Sequence, residues 1–103
     1  MKPIDRRKFF SALHRGSRGR GLELCEEPDA GSGSHGSLIF VRSSGGKPLR
    51  IVLAYSREIS PGVQRSILRY VSKQAELRKD SADRAIALIV FELLQDCLSY
   101  KVV

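Results

Sequence analysis

The segment Gly33-Ser34-His35-Gly36-Ser37 concentrates the residues best suited to chemistry in this chain. An imidazole changes charge near neutral pH, so one histidine can take a proton or give one. Gly33 and Gly36 have no side chains, which lets a phosphate backbone come close to His35. The hydroxyls of Ser34 and Ser37 can donate to phosphate oxygens. The bland alternative is that His35 merely closes a surface loop. His14, the other histidine, stands among Arg15 and Arg18 and reads as a favourable cation at a helix C-terminus. Tyr55 is a further polar group that packing explains equally well. Cys25 and Cys97 are far apart, with neither the spacing of a metal site nor a disulfide framework. Both read as small buried hydrophobes in a reducing compartment. No metal and no cofactor is expected.

The reactive segment sits in a basic chain. Lys and Arg number 18 against 11 Asp and Glu, a net charge of +7 over 103 residues. A balance this positive in one small domain points to a polyanion, nucleic acid first. The charge falls in two blocks. Residues 1–20 carry seven basic groups and one acid, and residues 61–79 carry five and one. Arg65, Arg69 and Lys73 recur every four residues and make a basic helix stripe. With Ser60 and Gly62 at the start of that helix they can hold phosphates. Arg6, Arg7, Arg18 and Arg20 can extend the surface. A solvated basic face is the competing reading for any single one of them.

These groups need elements to position them. Residues 4–14 read as a first helix begun by Asp5 or Pro3, with Phe9, Phe10 and Leu13 as its apolar stripe. Gly16 to Gly21 (GSRGRG) reads as a basic loop that ends it. Leu22 to Cys25 alternates as a short strand, and Glu27 to Ser34 is a loop. Residues 35–42 form a second strand with Leu38 and Phe40 on one face and His35, Ser37, Ile39 and Val41 on the other. The Gly-Gly pair in Ser43 to Lys47 turns the chain into a third strand, where Leu49, Ile51 and Leu53 alternate with Arg50, Val52 and Ala54. Ser60 caps a helix that has Pro61 at its first position and runs to about residue 77, with Ile67, Leu68, Val71 and Ala75 as its apolar stripe. Ser81 caps a last helix, about 82–99. The expectation is an α+β fold of order α-β-β-β-α: a three-stranded antiparallel sheet, two helices on one face, and an additional C-terminal helix. The sheet should bury Leu22, Leu24, Leu38, Phe40, Leu49, Ile51 and Leu53 and leave the His35 face open.

Gly-Ser-His at a strand start and residues 59–71 (ISPGVQRSILRYV), taken with this element order, resemble the HicA family of bacterial toxins. The resemblance covers residues 1 to about 77. It implies a fold like double-stranded-RNA-binding domains and an mRNA interferase activity. It places the family's catalytic histidine on His35, its preceding residues on Gly33 and Ser34, and its helix signature on Pro61, Gly62, Arg65, Ser66, Ile67 and Leu68. Leu38 stands where an aromatic is common, Ala54-Tyr55 replaces an expected Pro and polar run, and the helix at 82–99 has no counterpart. The implied protein is the toxin of a type II toxin–antitoxin pair. It would be a metal-independent endoribonuclease that cleaves mRNA with little sequence choice and is neutralised by a HicB-type antitoxin. On this reading residues 1–79 are the RNA-cleaving domain and 80–103 an apolar helical extension.

That extension raises a separate question. Ile86, Ile89, Val90, Leu93, Leu94, Cys97 and Leu98 cover most of its circumference and must bury against something. Self-association or partner binding through 82–99 is the favoured expectation. Packing across the open sheet face would cover His35 and argue against catalysis. The rival functions are therefore a non-catalytic RNA-binding module and a protein-interaction domain built on the last helix. The apolar run 85–94 is too short to span a membrane and contains Glu92. The charged N-terminus has no apolar signal region. The chain is expected to be soluble and cytoplasmic, with no membrane partner.

Overall fold

Period-2 alternation at three places becomes one antiparallel sheet, as a computed structural model describing residues 2–28, 35–54 and 56–98 shows. β1 (Ile4–Asp5) leads into α1 (Arg6–Gly19), followed by β2 (Leu22–Pro28), β3 (His35–Arg42) and β4 (Leu49–Ala54). β5 (Glu58–Ile59) precedes α2 (Pro61–Leu77), and α3 (Ser81–Cys97) ends the described chain. The main sheet has the order β2-β3-β4, and β1 pairs with β5 in a small separate ladder. All seven sheet positions expected in the core are buried: Leu22, Leu24, Leu38, Phe40, Leu49, Ile51 and Leu53. They share one cluster with Phe9 and Leu13 of α1, Ile67, Leu68 and Val71 of α2, and Ile86, Val90, Leu93 and Leu94 of α3. All three helices thus cover the same sheet face.

The first helix is longer than expected. Gly16 does not end it, and α1 continues through Gly19. A glycine in a helix normally costs about 1 kcal/mol relative to alanine. Here the reason lies in another element: a Cβ on Gly16 would overlap the Leu93 side chain. The missing side chain lets α1 and α3 approach. The helix starts obey local capping. Asp5 Oδ1 accepts from Lys8 N at 3.1 Å, and Ser60 Oγ accepts from Val63 N at 3.2 Å. The cap of α3 is Asp80 rather than Ser81, its carboxylate accepting from the amides of Ala82 and Asp83.

α3 is not left over for a second copy. Ile86, Val90, Leu93, Leu94 and Leu98 are buried in the chain's own core, each worth roughly 1.5–3 kcal/mol of apolar transfer. This corrects the expectation that residues 82–99 serve self-association. Two anchors fix where α3 lies. At its start, Lys47 N donates to Asp83 Oδ1 at 2.7 Å. The buried Arg78 guanidinium donates to the carbonyls of Lys47, Pro48 and Asp83. At its end, Arg20 Nη2 donates to Asp96 Oδ2 at 2.5 Å. Lys47 precedes β4, and Arg20 precedes β2. Both anchors therefore lie at the end of the sheet where Phe40 pairs with Leu49 and Leu22 with Arg42. That is the end remote from His35. Among the described residues no helix is long and apolar enough to cross a membrane.

Candidate nucleic-acid interface

His35 opens β3 on the uncovered face. Its register partner is Ala54, the last residue of β4, and it is exposed. The same face carries Glu23, Cys25, Glu27, Arg50 and Val52, all exposed, with Ser37, Ile39 and Val41 half-buried. Neither α3 nor any other described element lies across it. Cys25 is exposed, which corrects its reading as a buried hydrophobe. It alternates with Leu24, so the pleat that buries one presents the other. Cys97 is half-buried, and that burial pushes its thiol above the ordinary value while Arg20 pulls it partly back.

Hydrogen bonds around Ala54 bring three chain segments to the His35 end. Ser56 N donates to Ala54 O at 3.0 Å, and Arg6 N donates to Arg57 O at 3.0 Å. β5 pairs with β1 immediately before α1. The buried Gln64 amide donates to Lys2 O at 2.7 Å and Ile59 O at 3.0 Å. The N-termini of α1 and α2 therefore both open at the end of the sheet that carries His35. Arg6, Arg7 and Arg57 line a cleft there with Asp5. Both helix starts direct the positive end of their dipoles this way, with Asp5 and Ser60 capping the amides of Lys8 and Val63.

Gly62 lies at this end too, in the first turn of α2. Among the described residues, no atom lies within 4 Å of where its Cβ would be. The packing does not demand glycine there. Arg65 is exposed one turn along, and Arg69 and Lys73 follow at successive turns away from His35. Lys73 makes an exposed ion pair with Glu76 at 3.8 Å. Arg7, His14, Arg15 and Arg18 line a groove of about 1000 Å³ along α1, bounded by Glu26 of β2.

Several expected roles change. Gly36 pairs with Pro28 and Leu53 and is buried. It turns to the covered face, so the close phosphate approach expected over it is not open there. Ser37 Oγ accepts from Arg50 Nη1 at 3.1 Å, and Arg50 Nη2 donates to Glu27 Oε1 at 3.4 Å. The Ser37 hydroxyl proton is left to donate elsewhere. His14 is mid-helix rather than C-terminal, because α1 runs on to Gly19. Its Nε2 lies 2.7 Å from Glu26 Oε2. An ionised carboxylate only accepts, so Nε2 carries the proton. Arg20, expected on the binding surface, is held by Asp96, Glu92 and the Gly16 carbonyl. Gly33, Ser34 and Tyr55 lie outside the described residues.

Sequence reasoning missed Arg57 and Arg50. Arg57 sits in a short connection with no periodic signal. Arg50 was already on the open face by alternation. Among the described residues, no three His, Cys, Asp or Glu side chains cluster as a metal site would need. No family profile, curated protein or solved structure matches this chain.

Proposed function

We propose that this chain is a HicA-type toxin: a metal-independent mRNA endoribonuclease in which His35 moves the proton. One observation carries the reading. The β3–β4 register sets exposed His35 at the same end of the sheet as Arg57, Arg6, Arg7 and the N-termini of α1 and α2. A reactive imidazole and a cluster of phosphate-binding groups thus share one edge of the molecule. In the proposed reaction His35 takes the 2′-hydroxyl proton as that oxygen attacks the neighbouring phosphorus. The P–O bond to the 5′-oxygen breaks, that oxygen leaves as a hydroxyl with a proton taken from solvent water, and a 2′,3′-cyclic phosphate remains. Arg6, Arg7, Arg57 and the Gly62 backbone offset charge on the phosphorane. Arg65, Arg69 and Lys73 hold RNA further along α2, giving affinity without sequence choice. A HicB-type antitoxin would cover the His35 end with acidic groups.

Expression in a bacterial host tests this reading. The wild-type chain arrests growth and depletes mRNA, and a cognate antitoxin restores growth. His35→Ala at equal soluble level neither arrests growth nor depletes mRNA. A His35→Ala protein that still arrests growth removes His35 from the mechanism. A non-catalytic RNA-binding module is the second reading, favoured by the spread of cations along α1 and α2 beyond what one scissile phosphate needs. Salt-sensitive RNA binding without cleavage by the wild-type chain would select it.

A further inference from the structure

The outer edge of β4 is a separate feature, on the side of the sheet away from the α1 groove. β4 is an edge strand, and among the described residues no strand pairs with its outer side. A free edge leaves a row of backbone donors and acceptors unmatched. Proteins usually guard such an edge with charge, proline or a covering element. β4 (LRIVLA) has one charged residue, Arg50, and no proline. Instead a groove of about 340 Å³ runs between β4 and α2. Val63, Ser66, Ile67 and Tyr70 supply the helix wall at the i, i+3, i+4, i+7 spacing of one face. Five large hydrophobics are exposed in the described chain, and three of them line this groove: Val52, Val63 and Tyr70. Their convergence beside an unpaired strand edge is not the scatter expected of ordinary surface hydrophobics.

We propose that the β4–α2 groove receives an extended acidic–apolar segment of a partner protein, which adds to β4 as a further strand. The edge backbone selects an extended peptide, because only a strand offers alternating amide donors and carbonyl acceptors in register. Val63, Ile67 and Tyr70 take alternate apolar side chains. The rim favours acid because no carboxylate lines the groove, although the Arg50 guanidinium in its wall is held by Ser37 and Glu27 over the open face. Exposed Arg69 follows Ser66 around the helix by its own geometry, and Lys73, paired with Glu76 at 3.8 Å, lies one turn further on. A second copy fits poorly, because edge-to-edge pairing would bring together two basic rims on chains of charge +7. RNA fits poorly too, since its backbone presents mainly acceptors and the groove wall is largely apolar. The proposal stands apart from the RNA reading, because the peptide is scored with no RNA present.

The experiment selects displayed random peptides of about eight residues, an ordinary strand length, on the immobilised full chain. A consensus peptide is then synthesised and titrated into the free protein by NMR. The expected consensus alternates Asp or Glu with apolar residues, and the expected amide shifts fall on residues 49–54 and 63–70. Val63→Asp suits the first turn of a helix, so the variant should fold while its acid faces the acidic ligand. Val63→Asp and Tyr70→Ala should each weaken the peptide at least about tenfold, as loss of buried apolar contact predicts. Leu88→Ala, an exposed site on α3, should change nothing. Four results would overturn the proposal: no enriched consensus, a consensus without acid, shifts confined to other surfaces, or self-association through β4.

Discussion

The two ends of the sheet are built for opposite purposes. At the remote end, α3 is clamped onto the β3–β4 turn and onto the end of α1. Arg78 is buried there and directs its guanidinium to three backbone carbonyls. Gly46 has φ +104° and would bring a Cβ within 2.6 Å of the Ala82 carbonyl oxygen. Two cations at this end are taken up by structure: Arg20 is engaged by Asp96 and the Gly16 carbonyl much as Arg78 is by its carbonyls. At the His35 end, Arg7 and Arg57 face a cleft beside the starts of α1 and α2, and α3 is absent. The difference teaches that the carbonyls and carboxylates around a basic residue, not its type, decide whether it is taken up by the fold. Net charge alone could not separate the two sets.

The comparison can be broken most sharply at Arg78. Arg78→Met should lower stability by about 3 kcal/mol, because Lys47, Pro48 and Asp83 lose a charged donor in a buried place. Chemical denaturation measures it, and folded Arg78→Met should still bind RNA as the wild type does. Gly46→Ala should lower stability by about 2 kcal/mol, through a positive φ and a clash with backbone that cannot move aside. A change under half that size would mean the turn does not hold α3 in place. At the other end the sign of the result reverses. Arg57→Ala should leave stability within about 0.5 kcal/mol and reduce the salt slope of RNA binding by about one phosphate contact. An unchanged slope would remove Arg57 from the interface.

Much of the fold was legible in the residues. Alternation from Leu49 to Leu53 and from Leu38 to Phe40 named the buried sheet face because a pleat leaves no other choice. Ser60-Pro61 marked the start of α2 for equally local reasons. Gly16 was illegible because its cause is Leu93, far away in sequence. The apolar stripe of α3 showed that something must cover it but not what. β1 and β5 are two residues each, too short to show a period. At the site, His35 on the open face was readable from parity. The same parity puts Gly36 on the covered face, so its flanking position misled where the alternation did not. Arg57 joined the site only through the β1–β5 pairing, which no local pattern announces.

The central claim is that exposed His35 cleaves RNA at the cationic end of the sheet. It is tested most directly by incubating the purified chain with a defined RNA in excess chelator and analysing the product ends. The wild-type chain should yield 2′,3′-cyclic phosphates. His35→Ala, folded and binding RNA with unchanged salt dependence, should be slower by roughly 10²–10⁴-fold. Equal cleavage by His35→Ala, or none by the wild type, would contradict the account.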